Sequence, residues 1–169
     1  MAGKFVPISG PVVANTFYAS GVLVARDVGV TLPAVTPVTA DLPVMGTYTK
    51  PIWQLIEHME AAITKIGFDK GLKGMLSPGV KSFEARWVQT VTDANGRTRN
   101  VGCKAFLTGE VALLPEIGQE VGSAGEHEVR IGLTRYNLFV DGEEMWLIDR
   151  MAGKVRINGV EYADMDSML

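Results

Sequence analysis

Three dipeptides set most of the limits on this chain: Asn95-Gly96, Asp141-Gly142 and Asn158-Gly159. Asn-Gly and Asp-Gly are the pairs that best accept positive φ at both centres of a tight hairpin turn. Each sits between runs in which apolar and polar side chains alternate, the two-residue period of a half-buried strand. Before the first pair, Phe83, Ala85, Trp87 and Gln89 alternate with Glu84, Arg86, Val88 and Thr90. After it, Val101, Cys103, Ala105 and Leu107 share one face. Around the other two pairs, residues 129–140, 143–149 and 155–162 form a meander, with a further turn near Ala152-Gly153. So many short strands favour an all-β, mainly antiparallel sandwich or barrel.

The N-terminal half is less regular. Residues 12–32 are rich in β-branched and aromatic side chains, punctuated by Gly21 and Gly29, and read as strands. Residues 31–51 carry Pro33, Pro37, Pro43 and Pro51. Proline lacks the N–H a ladder needs, so residues 33–51 read as a long extended loop or an edge. An ordered loop of that length is usually functional, which makes it a candidate contact segment. Ile52, Leu55, Ile56, Met59, Ile63 and Ile66 trace a helical stripe behind Pro51, so residues 52–66 taken alone read as a helix. Residues 67–79 read as a short helix or turn, stopped by Pro78 and Gly79.

A length of 169 residues fits one domain over 1–169, with enough chain to bury a core unaided. The one cysteine, Cys103, cannot make an intrachain disulfide, which points to a reducing compartment. Pro7, Gly10 and Pro11 interrupt the start, so no signal peptide is expected there. No run approaches the ~20 apolar residues of a membrane span, so no membrane anchoring is expected either. Charge is uneven. Residues 110–149 hold nine acids (Glu110, Glu116, Glu120, Glu126, Glu128, Asp141, Glu143, Glu144 and Asp149) against Arg130 and Arg135, a balance of −7. The remainder carries +4 of the total of −3. A solvated acidic face explains this as well as two surfaces of opposite sign suited to self-association.

Catalytic constellations are missing from the sequence. His58 and His127 lack metal-ligand spacing from each other and from Cys103, and one histidine between Glu126 and Glu128 is a weak metal signal. There is no phosphate-binding glycine loop and no GxSxG elbow, since Met75 stands where the first glycine before Ser77 should be. Cys103 is expected inside and unreactive. Glu143 and Glu144 are neighbours on a strand and point to opposite faces, which spoils them as a carboxylate pair. Arg97, Arg99 and Lys104 lack interleaved aromatics, so a solvated or protein-contacting tip outweighs nucleic-acid binding. No enzyme, cofactor or metal is expected.

The order of motifs carries a resemblance. Tyr136-Asn-Leu-Phe-Val-Asp-Gly-Glu-Glu, then Leu147-Ile-Asp149, then Val155-Arg-Ile-Asn-Gly-Val160 resembles the major tail tube proteins of contractile-tailed phages and tailocins. Thr31-Leu-Pro33, Met59-Glu-Ala61 and Gly67-Phe-Asp69 followed by Leu72 and Leu76 agree, so the likeness spans residues ~12–164. It implies a strand at about 58–66 in place of the local helix, and a short helix at about 69–76. It leaves residues 1–11 as an N-terminal extension.

The resemblance implies a mechanism too. Six protomers would join their strands into one β-barrel ring, and rings would stack into the tail tube. The implied partners are other copies of the chain, a sheath protein, and baseplate and tape-measure proteins. Double-stranded DNA would pass the lumen without specific binding. The implied place is the virion, after assembly in a host cytoplasm. Glu110, Glu116, Glu120, Glu126, Glu128, Glu143 and Glu144 are candidate lumen-lining or ring-stacking acids, and the three turn pairs are structural. The rival readings are a type VI secretion-like injection tube and a non-catalytic β-sandwich ligand-binding module.

Overall fold

The computed structural model of the chain describes residues 5–164 and 167–169. Twelve strands and one short helix follow in order: β1 (Ile8–Ala19), β2 (Val22–Arg26), β3 (Gly29–Thr31), β4 (Pro37–Pro43), β5 (Thr47–Ile56) and β6 (Met59–Ile66). A 3₁₀ turn (Lys70–Leu72) then runs into α1 (Lys73–Leu76). After it come β7 (Lys81–Thr92), β8 (Thr98–Leu113), β9 (Glu126–Val140), β10 (Glu143–Asp149), β11 (Lys154–Ile157) and β12 (Val160–Asp164). The main sheet runs β12-β11-β10-β9-β8-β7-β1-β2, with β6 on β9 and β3 on β6.

The long β9 organises this sheet. One edge pairs with β8. The other is shared: the first half takes β6, and the second half takes β10. Beyond β6 lies β3, and beyond β1 lies β2. Only Asp27 and Val28 separate β2 from β3, so residues 22–31 close the path β1-β7-β8-β9-β6 into a barrel. Where the ladder breaks, Asn15 replaces it. Its Nδ2 donates to Val28 O at 2.6 Å, its Oδ1 accepts from Val28 N at 2.9 Å, and its own carbonyl accepts from Asp27 N at 2.9 Å.

The core follows from the alternation. Val101, Cys103, Ala105 and Leu107 are all buried, as their shared face predicts, and Phe17 stacks on Phe83 with ring centroids 5.9 Å apart. Leu72 and Met75, fully buried, plug the barrel end beside β2. Asp69 caps this turn by accepting from Gly71 N at 2.8 Å, while Lys65 Nζ reaches its other oxygen at 2.6 Å. The lysine bond first, then the Gly71 bond, hold the Asp69 carboxyl below its usual range. The meander β10–β12 extends the same core through Tyr136, Trp146, Ile148 and Val155. Burying side chains of this size stabilises the fold by about 1.5–3 kcal/mol each.

The structure corrects several expectations. Of the two readings of residues 33–51, the edge holds and the long loop does not: Pro37–Pro43 and Thr47–Ile56 pair as an antiparallel hairpin, a separate two-stranded sheet. Each strand of such a sheet has one unpaired edge, so a proline whose missing N–H faces outward costs no rung. The helical stripe over 52–66 lies on two strands, β5 and β6. The helical segment at Lys70–Leu76 falls where the resemblance put it. Part of the N-terminal extension is a strand: β1 begins at Ile8, which pairs with Thr92. Asn95-Gly96 is not a two-residue turn. Asp93 N bonds to Arg97 O and Gly96 N to Asp93 O, and of the pair only Gly96 has positive φ, at 74°. That is a three-residue loop with glycine at the left-handed position. Asp141-Gly142 (φ 52° and 80°) and Asn158-Gly159 (52° and 75°) match the expected two-residue turn.

Candidate assembly surfaces

Each candidate acid has a defined place. Glu110 is exposed on β8, opposite Gly132 of β9. Glu116 and Glu120 are exposed on the connection between β8 and β9. Glu126 and Glu128 open β9, opposite Ile66 and Thr64. Glu116, Glu120, Glu126 and Glu128 gather at one end of the barrel, because β8 ends where β9 begins. Glu143 and Glu144 follow Val140 at the far end of β9, a strand of fifteen residues. At about 3.4 Å per residue, Glu126 stands roughly 48 Å from the Val140 end along the strand and the Glu110 rung at Gly132 roughly 27 Å from it. With Asp149 opposite Arg135 between them, the acidic window is spread along β9 and is not gathered on one face.

Two of these acids are neutralised locally. Glu128 bonds Arg130, whose guanidinium also lies 3.7 Å from Glu60. Glu144 holds Arg156 through two bonds, at 2.7 and 2.9 Å. Both carboxylates push their arginines' pKa further up. Glu110, Glu116, Glu120, Glu126 and Glu143 make no ion pair among the described residues.

Chemistry-bearing side chains do not converge. Cys103 is buried, and desolvation pushes its thiol up. His127 is buried with its ring 5.8 Å from Phe68, while His58 is exposed and 3.6 Å from Glu60. Among the described residues no three His, Cys, Asp or Glu gather as a metal site. No helix of the described residues is long and apolar enough to cross a membrane.

Unsatisfied strand edges and exposed apolar side chains are what stand out. Among the described residues β12 ends the sheet with no hydrogen-bonded strand on its outer side, although β5 of the hairpin packs near it. On β1, only Thr16–Ala19 meet β2, so Ile8–Ala14 keep a free edge. Ile8, Val12 and Val13 are 64%, 55% and 55% exposed there, and Val160 and Tyr162 are 53% and 49% exposed on β12. Open edges with apolar faces are templates for pairing with another chain. The β4–β5 hairpin adds Leu42, Val44, Met45 and Tyr48, all exposed at or near its tip. Sequence reading missed this hairpin as an ordered element, since its prolines hid it. It also missed Asn15, whose only signal is a polar amide within the β-branched run that opens the chain.

Fold and surfaces together define a class: a closed antiparallel β-barrel with open strand edges and an apolar hairpin tip exposed beside it. The family model for phage tail tube protein FII matches residues 12–165, and the chain belongs to that family: it is a structural tail tube protein. A chain of the cryo-EM structure of an extracellular contractile injection system, the PVC sheath–tube complex in its extended state, shares the fold. Its TM-score is 0.53 at 11% identity, covering 76% of this chain and 90% of that one. No curated protein sequence matches.

Proposed function

We propose that the chain forms hexameric rings that stack into the inner tube of a contractile tail. The carrying observation is the pair of open edges: a barrel complete in itself ends in an unpaired β12 and a half-unpaired β1. Pairing such edges between copies satisfies both, and a ring leaves no edge over. The sheath protein would clasp the tube from outside, with baseplate and tape-measure proteins fixing its start and length. The likeness to a chain of a sheath–tube complex supports the sheath as partner. The particle itself, assembled in the host cytoplasm, is where the chain would work.

On this reading the chain performs no catalysis. Double-stranded DNA traverses the lumen without specific binding, because a lining of carboxylates repels phosphates. Glu110, Glu116, Glu120, Glu126 and Glu143 are the acids freest to give such a lining or to face the next ring, having no ion-pair partner among the described residues. The β4–β5 hairpin is assigned the contact between rings. The injection-tube rival shares the fold but not the family that matches the sequence, and the ligand-binding module predicts no filaments.

Electron microscopy of concentrated pure protein tests this. Hollow rods or stacked six-fold rings are expected, and their reconstruction locates the seven acids; acids lying entirely on the outer wall would remove the lumen assignment. A second test deletes residues 38–46: the expected product is folded protein without rods, and normal rods would refute the hairpin contact.

A further inference from the structure

In an Asn-Gly pair the glycine nitrogen can attack the asparagine side-chain carbonyl carbon, because glycine carries no side chain to obstruct the cyclic imide that forms. The chain has two such pairs, Asn95-Gly96 and Asn158-Gly159, both exposed and both in turns. Their turns guard the attacking nitrogen differently. Gly96 N donates to Asp93 O at 3.1 Å. The Asp93 carboxylate accepts from Asn95 N at 2.8 Å and from Arg97 N at 2.9 Å. Three successive amides are therefore tied to Asp93, in a loop that joins the long strands β7 and β8.

Gly159 is held far less. Asn158 N donates to Met145 O at 3.0 Å, but Gly159 N has no hydrogen-bond acceptor among the described residues. Its turn joins β11 and β12, strands of four and five residues, and β12 is the last strand of the sheet. Short elements at a sheet edge open locally at lower free energy than central ones. Ring closure requires the asparagine to leave its tight turn, so the pair whose turn opens more readily reacts first. We propose that Asn158 is a site of spontaneous deamidation and isomerisation, and that isoaspartate at this position detaches β12.

The chemistry needs only water and hydroxide. Gly159 N gives its proton to hydroxide and bonds to Asn158 Cγ. The Cγ–Nδ2 bond breaks, and Nδ2 takes a proton from water and leaves as ammonia. Water then opens the imide. Attack at Cγ gives aspartate, while attack at the backbone carbonyl carbon gives isoaspartate, whose chain runs through the former side chain. Aspartate suits the turn, as Asp141 does at φ 52° in the neighbouring hairpin. Isoaspartate lengthens the backbone of a two-residue turn by one carbon. The rungs Ile157↔Val160 and Arg156↔Glu161 then lose the register that the turn sets. β12 is one of the two edges assigned above to ring formation. On that reading, and resting on it, an aged free subunit stays folded but no longer fits a ring.

The test ages the full chain in mildly alkaline buffer and maps it by peptide mass spectrometry, with an isoaspartyl methyltransferase and its methyl donor as the probe for isoaspartate. Asn158 should convert about fivefold faster than Asn95, the weight of one ordinary hydrogen bond on the attacking amide. Equal rates, or Asn95 in the lead, overturn the proposal. Asn158→Gly keeps a residue that accepts positive φ but has no side-chain amide, so it should fold as before and leave Asn95 as the slow site. In aged protein, hydrogen exchange should rise across residues 154–164 and not in β7 or β8. Methyltransferase repair, which returns isoaspartate to aspartate, should restore the protection. Unchanged protection beside measured isoaspartate overturns the detachment of β12. Where fresh protein forms rods, aged protein should form fewer until it is repaired, and an undiminished yield would overturn the link to assembly. If fresh protein forms no rods, the tube reading falls, while the chemistry at Asn158 is still decided by the mass map.

Discussion

Asn15 does with a side chain what the rest of the barrel does with backbone. Its amide satisfies both polar groups of Val28 at the point where β2 gives way to β3. Leaving such groups unpaired costs about 1–3 kcal/mol, so Asn15→Ala should lower the unfolding free energy read from urea denaturation by that amount. Gly109 is under a harder constraint. A Cβ there would stand 2.1 Å from the Gly132 carbonyl oxygen across the β8–β9 bulge, so the two strands would have to part. Gly142, with φ of 80° and open space around it, asks only for backbone freedom. Gly142→Ala should cost about 1–2 kcal/mol, and Gly109→Ala distinctly more, read from paired denaturation curves. Tyr136 gives a pH signature. Buried against Trp146, its phenol is pushed up to about 12 by desolvation, against about 10 in an unfolded chain. Its contribution is fully present below pH 10 and declines as pH rises from about 10 to about 12, where the folded state alone keeps the proton. Melting temperature should therefore fall across that window by the equivalent of about 2 kcal/mol, a component that Tyr136→Phe removes.

Elements differed in how far the sequence disclosed them. β7, β8 and β10–β12 were legible, because one face of each meets the core and the other meets solvent or a polar neighbour, and that asymmetry writes the alternation directly. The two-residue turns at Asp141-Gly142 and Asn158-Gly159 were legible for a local reason, since both residues need positive φ. Asn95-Gly96 carries the same letters, but Asp93 accepts from Asn95 N and Arg97 N, drawing the turn back by a residue. The stripe from Ile52 to Ile66 misled in isolation. β6 is flanked by β3 and β9, and burial of Met59, Ala61 and Ile63 on one face overrides a modest helical preference. The proline-marked hairpin was missed because a two-stranded sheet tolerates prolines that a central strand would not. The acids were legible as a group in sequence but not in space, since only the fold reveals that β9 spreads them along its length.

At the scale of the whole molecule, the barrel is sealed by its own strands, and no hydrophobic core waits for a partner. Unfolding below the concentration of assembly should therefore be independent of protein concentration. Matched melts over a hundredfold dilution check this, and a midpoint that climbs with concentration would show a core shared between copies. A self-sealed barrel also decides how the finished object fails. Because each subunit is folded before it is fitted, losing one from the proposed ring should leave its neighbours folded, and a damaged tube should come apart into folded subunits instead of unravelling into exposed chain.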